Sequence, residues 1–303
     1  MRLTTVVLVT ATLGGCSRFV WNEEPFTPDP APVSETIVSG TDTTYVLRGS
    51  SYYLLASQRS ILWQREVLDA VSWRYRELFA EAPPLIAIRV DSSSRAGDTT
   101  WRGVPLTTVA SHRRDSAAVI DDKRHGARDA PDSPAALLVM RSLLATAAAE
   151  AWLAARTADA SRNDDGEAGD PARATAAGNR LPAWLQSGAV RILASPSAAI
   201  LAAAEMRAKS NRVLPLASLF AVRWPGRPNE TQAAVGPLFV PQSVSVLAFM
   251  RERDPTIVAR LADELPRGRT VPDVVANSGT LPHDVARLEA EWRKWVERVA
   301  KRR

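Results

Sequence analysis

One apolar stretch, residues 134–156, constrains the fold of this chain more than any other part of its sequence. Pro134 stands at its first turn, behind an aspartate and a serine that suit the N-cap position, so the stretch is predicted to be a helix. Its apolar residues lie on nearly every helical face, which requires cover from other elements on most sides. A membrane span is the alternative, but Arg141 and Glu150 interrupt the stretch and favour a buried helix within a folded domain.

The periodicity of the other apolar residues divides the chain into a mixed front half and a helical back half. Strands are predicted at 43–47, 51–55, 85–90, 103–110 and, as an edge strand, 117–120. Helices are predicted at 61–79, 134–156, 181–194, 198–208, 216–222, 240–253, 256–264, 271–277 and 284–302. This order of strands followed by helices predicts the α+β class.

The first sixteen residues have the layout of an export signal. A positive start at Arg2 precedes an apolar run, 3–13, that is too short to span a bilayer, and two glycines then precede Cys16. The Leu-Gly-Gly-Cys ending resembles the bacterial lipobox, which implies that Cys16 is diacylated on its sulfur and becomes the mature N-terminus. An ordinary secretory signal with a chance cysteine is the alternative. Two or three acyl chains give stable anchoring to a membrane.

This signal sets the expected domain organisation and location. We predict a signal peptide at 1–15, a proline-rich tether at 16–42, a β-rich subdomain at 43–130 and a helical subdomain at 131–303. The mature chain is expected in the cell envelope, held to a membrane by its N-terminal lipid. A serine rather than an aspartate follows the cysteine, which by analogy favours the outer membrane. The chain has a single cysteine, so no internal disulfide is predicted.

The net charge of the chain limits the kinds of partner that it is expected to bind. The formal net charge is +5, which favours contact with acidic surfaces. The basic residues are scattered and no nucleic-acid recognition motif accompanies them, so we predict no nucleic-acid partner. The expected partners are the membrane, an envelope protein or peptide, or an anionic cell-wall glycan. Nine tryptophans would suit a glycan-binding groove, but most fall on apolar helix faces and are predicted to be core.

Four segments of the back half, taken in order, resemble a known family. They read LPAWLQSGA at 181–189, PLASLF at 215–220, TVPDVV at 270–275 and LEAEWRKW at 288–295. Their order and spacing resemble the peptidase MA-like metallopeptidases of bacteria, which are gluzincins with an LPxWLxEGxAE segment and a closing LEAEWRxW helix. The resemblance covers roughly residues 43–300. It implies a zincin-like α+β domain, with a small sheet and helix in front of a helical half.

The resemblance also implies where a metal site belongs. Family members carry H-E-x-x-H on one buried helix, whose imidazoles bind zinc while the glutamate activates the metal-bound water. A third ligand, a glutamate, comes from the WLxEG helix. In the preferred alignment Arg141, Ser142 and Ala145 stand at the positions of the first histidine, the glutamate and the second histidine. Ser187 stands at the position of the third ligand.

A shifted alignment does not restore the motif. It places Ala149, Glu150 and Leu153 at the same positions, which keeps a glutamate but supplies no imidazole. No histidine lies anywhere between residues 126 and 282, so neither alignment provides the zinc ligands. We therefore predict no metal and no cofactor.

The three histidines offer one alternative metal site. His112 and His125, with a carboxylate from Asp121 or Asp122, would form a new cluster, although surface histidines are the simpler interpretation. His283 stands near the start of the last predicted helix and suits a position in its cap.

Other hydrolytic chemistry has little support in the sequence. There is no GxSxG elbow and no P-loop. Ser187 is interpreted as a packed residue because its neighbours are apolar. Glu150 is a candidate pocket residue and general base, or else the ion-pair partner of Arg191, which we favour.

These observations predict a cell-envelope lipoprotein with a peptidase-like fold that has lost its zinc site. Such a protein would bind or scaffold other molecules rather than catalyse a reaction. The alternatives are an active hydrolase with relocated catalytic residues, centred on Glu150 or Ser187, and a structural lipoprotein that binds cell-wall glycan.

Overall fold

The structure, a computed structural model of the 303-residue chain, has a small sheet in its front half and helices behind it. It describes residues 34–39, 42–56, 60–91, 100–110, 134–164, 181–222 and 236–301. The α+β class predicted from the sequence is confirmed.

The six strands of the described residues form one mixed sheet. They are β1 (Ser34–Ser39), β2 (Asp42–Arg48), β3 (Tyr52–Ala56), β4 (Ile86–Asp91), β5 (Thr100–Trp101) and β6 (Val104–Ala110). Their spatial order is β1-β2-β3-β4-β6-β5. The neighbours β3, β4 and β6 run parallel, whereas the β1–β2, β2–β3 and β5–β6 pairs are antiparallel.

Nine α-helices lie within the described residues. They are α1 (Ile61–Phe79), α2 (Pro134–Asp164), α3 (Ala183–Ala194), α4 (Ala198–Ala208), α5 (Leu216–Ala221), α6 (Phe239–Arg253), α7 (Ile257–Glu264), α8 (Val271–Ala276) and α9 (Val285–Ala300). A short 3-10 turn, Ser210–Arg212, separates α4 from α5.

Helix α1 connects two parallel strands, β3 and β4, and therefore runs back across the sheet. Helix α2 packs alongside α1 and runs in the same direction. Two contacts fix this direction, because Glu66 pairs with Arg141 near the start of both helices and Arg156 contacts Phe79 near the end of α1. Both helices consequently begin at the edge of the sheet where the parallel strands end.

The alternation of side chains along the strands gives the sheet two different faces. Leu47, Leu54, Ile86 and Ile88 are buried in the main core under α1 and α2. The opposite face carries a small separate cluster, built on Val46, Leu55 and Ala87. Alternate residues of a strand point to opposite faces, so the helices of the described residues cover only one side of the sheet.

Helix α6 is the centre of the helical half. Residues 242–250 are all buried, and α6 packs against α3, α4, α7 and α9. The Gln242 side chain accepts a hydrogen bond from the Leu214 amide and donates one to the Leu214 carbonyl, at 3.0 and 2.6 Å. This amide fixes the segment before α5, because it satisfies both backbone groups of Leu214.

The predicted elements agree with the structure except at three places. Strand β1 lies inside the stretch 16–42, so the expected tether does not extend to residue 42: Ser34–Ser39 pairs with β2. Helix α2 continues to Asp164, beyond the predicted end at residue 156. Strand β5 was not predicted. The predicted edge strand at 117–120 lies outside the described residues.

Candidate functional site

The two helices that the resemblance assigns to a metal site pack against each other. Helix α3 lies along α2 on one side and against α6 on the other. Helix α2 also contacts α1 and the strands β4 and β6. Within α2, Ala136–Ala158 is long and apolar enough to cross a membrane. One third of its most apolar 18-residue stretch is buried. Its largest side chain, Trp152, lies fully within the core.

The first three site positions on α2 have separate surroundings. The guanidinium of Arg141 lies 2.9 Å from a carboxylate oxygen of Glu66 on α1, in an exposed ion pair. Ser142 is exposed, and its carbonyl accepts a hydrogen bond from the Thr146 hydroxyl at 2.8 Å. Ala145 is buried in the main core. None of the three presents an imidazole or carboxylate that could bind a metal ion.

The shifted alignment fits a metal site no better. Ala149 and Leu153 are buried core residues with apolar side chains, and Glu150 between them is exposed on the outside of α2. The two positions for zinc ligands thus hold side chains that cannot bind a metal ion, and the glutamate at the position of the general base faces away from them.

Ser187 on α3 is half-buried, and its neighbour Gly188 is in close contact with α6. A methyl group added at Gly188 would lie 2.9 Å from the Ser243 carbonyl oxygen and 2.5 Å from a methyl of Leu247. Gly188 therefore lets the backbones of α3 and α6 approach each other. Ser187 sits on a helix whose position is fixed by this crossing.

Trp184, at the start of α3, packs against another aromatic side chain. It is fully buried and its ring packs on Phe220 of α5 at a centroid distance of 4.8 Å. Its indole N–H finds no acceptor within the described part of the chain. Tryptophan at this position belongs to the core, as the sequence pattern predicted.

The C-terminal end of α3 contacts a buried arginine of α1. The Nε of Arg74 donates a hydrogen bond to the carbonyl of Leu193, at 2.5 Å, in the last turn of α3. Burial lowers the pKa of Arg74 to about 10, so the side chain stays charged at neutral pH. A cation at a helix C-terminus interacts favourably with the helix dipole. This contact could not be predicted from the sequence, because the two residues are far apart along the chain.

The predicted ion pair between Glu150 and Arg191 does not form. Both side chains are exposed, and neither has an ion-pair partner among the described residues. Helix α3 presents Arg191 to solvent, while its buried face carries Ile192 and Leu193. The prediction was wrong because helical phase, rather than charge, decides which way each residue points.

Partial desolvation beside the core raises the pKa of Glu150, although the side chain still reaches solvent. The folded state then holds the proton more tightly than the unfolded state. Folding stability therefore falls as the pH rises from below the unfolded-state pKa of the carboxyl to above its raised folded-state pKa. We expect Glu150→Gln to be more stable than the wild type at neutral pH, by less than about 1 kcal/mol because the group is solvated. The difference should vanish near pH 3, roughly one unit below the ordinary glutamate pKa. Urea denaturation at both pH values measures it, and an equal difference at both would contradict it.

The remaining candidate residues do not add a metal site to the described part of the chain. His283 is exposed just before α9. Across the described ranges no three side chains of the ligand types His, Cys, Asp and Glu come together to hold a metal ion. His112, His125, Asp121 and Asp122 lie outside those ranges, as does Cys16.

Comparison with known proteins does not add to this picture. The chain matches no protein-family model, and no curated protein is significantly similar to it in sequence.

Proposed function

We propose that this chain is a lipid-anchored protein of the cell envelope whose peptidase-like domain binds or scaffolds other molecules without metal catalysis. The proposal joins two expectations from the sequence, the Leu-Gly-Gly-Cys signal ending at Cys16 and the resemblance to gluzincin peptidases. Neither part depends on the other, so each has its own experiment.

The chemistry of the four site positions carries the non-catalytic part of the proposal. Arg141 and Ala145 occupy the places of the two zinc imidazoles, and Ser142 and Ser187 occupy those of the general base and the third ligand. A catalytic zinc needs three protein ligands, usually nitrogen or carboxylate oxygen, plus a water. The side chains present at these positions do not fit that group, so no step through a metal is assigned to this domain.

The arrangement of the helices supports the peptidase-like part. Two helices separated by only a short span of sequence, α2 and α3, lie side by side in the core, as the resemblance requires of the metal-binding pair. A parallel β3-α1-β4 unit precedes them, and α9, which carries the LEAEWRKW segment, packs on α4 and α6. These features are compatible with a zincin-like domain and are also found in other α+β folds.

The metal content of the purified protein tests the loss of the site. We expect less than about one tenth of an equivalent of zinc after dialysis against a metal-buffered solution, because a lost ligand set cannot compete with the buffer. The same preparation should show no peptide hydrolysis that a chelator abolishes. Stoichiometric zinc together with chelator-sensitive peptidase activity would reject this part of the proposal.

Metabolic labelling with a fatty acid tests the lipid anchor. We expect the chain to incorporate labelled palmitate, and Cys16→Ala to abolish the label completely, because the thiol is the only site that the signal offers. Ser17→Ala is the matched control and should keep the label. An unlabelled wild-type chain, or a labelled Cys16→Ala chain, would reject the anchor.

A further inference from the structure

The last helix carries a straight line of cations along its outer surface. Arg287, Lys294 and Lys301 are exposed and stand seven residues apart, the last of them just after α9 ends. A heptad step returns to nearly the same side of a helix, with a drift of about 20°. The three side chains, named here the α9 stripe, therefore face one direction at intervals of roughly 10 Å.

The glutamates beside the α9 stripe are already paired, and a further acidic residue near it, Asp284, caps α9 by accepting a hydrogen bond from the Arg287 amide at 3.0 Å. Every glutamate of α9 has an arginine partner: Glu289 with Arg293, Glu291 with Arg253 of α6, and Glu297 with Arg207 of α4. The three cations of the stripe make no ion pair with any described residue. Asp284 offsets part of the charge at the Arg287 end, whereas the charges of Lys294 and Lys301 are not cancelled by an unpaired acid of α9 and project into solvent.

The opposite side of α9 cannot take part in binding. Leu288, Trp292, Trp295 and Val296 are all buried in the core. The indole N–H of Trp292 donates to the Ser245 hydroxyl at 3.2 Å, which fixes the rotation of α9 against α6. The stripe therefore stays on the outside, and a partner meets cations without insertable apolar side chains.

We infer that the α9 stripe docks the domain onto an anionic phospholipid surface. Three charges in line on the outer side of one helix suit a flat surface. A small ligand would instead need a concave pocket. Each lysine or arginine next to an anionic leaflet strengthens binding by about fivefold. The inference rests on the proposed lipid anchor, which would hold the stripe close to such a surface and raise its effective concentration there.

Vesicle binding of the unacylated chain, residues 17–303, tests the stripe without the anchor. This chain keeps every described residue, including the whole buried core from Val46 to Val296. We expect it to sediment with vesicles of mixed phosphatidylglycerol and phosphatidylcholine, and not with phosphatidylcholine alone. Binding should weaken strongly when the salt is raised from about 0.05 M to about 0.3 M, because screening shortens the reach of the charges.

A pair of charge-matched variants decides where the binding surface lies. Replacing Arg287, Lys294 and Lys301 by glutamine should weaken binding to the anionic vesicles at least tenfold. The control replaces three exposed arginines that are not part of α9, Arg48, Arg191 and Arg269, which removes the same net charge. Its binding should stay within about twofold of the wild type. Both variants must keep the wild-type circular dichroism spectrum and melting temperature.

Three outcomes would overturn the inference. They are equal loss of binding in both variants, equal binding of the wild type to neutral and anionic vesicles, and retention on a soluble anionic glycan without any binding to vesicles. The last outcome would assign the stripe to a glycan partner. Failure of palmitate labelling with intact vesicle binding would reject the anchor alone, so the two proposals fail separately.

Discussion

Gly188→Ala should lower the free energy of unfolding by about 2–3 kcal/mol, in the upper part of the range for overpacking in a close-packed core. For a domain of this size the loss corresponds to a fall in melting temperature of roughly 5–10 °C. The added methyl group would lie 2.9 Å from a backbone oxygen of α6 and 3.0 Å from the carbonyl carbon of the same residue, Ser243. Backbone atoms in the middle of a buried helix cannot move aside without displacing the helix.

The sign of this effect is decisive because helix propensity alone predicts the opposite. Alanine in a helix interior is favoured over glycine by about 1 kcal/mol. A measured loss of stability therefore reports the α3–α6 contact and nothing intrinsic to the chain. Gly279→Ala is the matched control, since a methyl group there meets no atom within 4 Å. If Gly188→Ala matched this control, the close approach of the two helices would be wrong.

Trp152→Ala should be the more damaging of the two substitutions, with an expected loss of about 3–5 kcal/mol. Trp152 is fully buried, and its ring lies against Tyr52 and Tyr75 at centroid distances of 6.5 and 6.4 Å. Its indole N–H donates to the Ser51 carbonyl at 3.3 Å. One side chain thus joins α2 to the sheet and to α1, and its removal leaves a large cavity between them.

Two further variants separate the cavity from the hydrogen bond. Trp152→Phe keeps most of the ring volume and loses the N–H donor, and we expect a cost of about 1–2 kcal/mol. The Ser51 carbonyl keeps the hydrogen bond from the Ile86 amide, which limits this cost. Trp101→Ala removes a half-buried tryptophan from the small cluster on the far face of the sheet and should cost less than Trp152→Ala. Chemical denaturation of all three measures these differences, and equal losses at Trp152 and Trp101 would contradict the assignment of the core.

Much of the fold could be predicted because the spacing of apolar residues along the sequence follows the periods of helices and strands. The helix predicted at 61–79 has the same bounds in the structure, and the helix at 198–208 does too. Strand β1 could not be predicted because four prolines between residues 25 and 32, just before it, favour an extended tether over a strand. The short pair Thr100–Trp101 has too few residues for alternation to show.

Contacts between distant residues could not be predicted in the same way. The absence of histidine from α2 and α3 follows from residue types alone, whatever the alignment. Whether Glu150 meets Arg191 depends on the rotation of two helices about their own axes, and opposite charges alone do not fix that rotation. The Gln242 amide that holds Leu214, and the Arg74 side chain that meets the end of α3, likewise depend on packing across long stretches of chain.

The place of β1 in the sheet decides how the domain responds to a pull on its N-terminal side. β1 is an edge strand with β2 as its only neighbour in the sheet, and its first residue, Ser34, pairs with Leu47. Tension applied at Ser34 is therefore borne first by the β1–β2 ladder. A force across the strands would open that ladder one pair at a time, and a force along them would load all of its hydrogen bonds together. We expect the first strand to detach under such a force before the core around Trp152 unfolds.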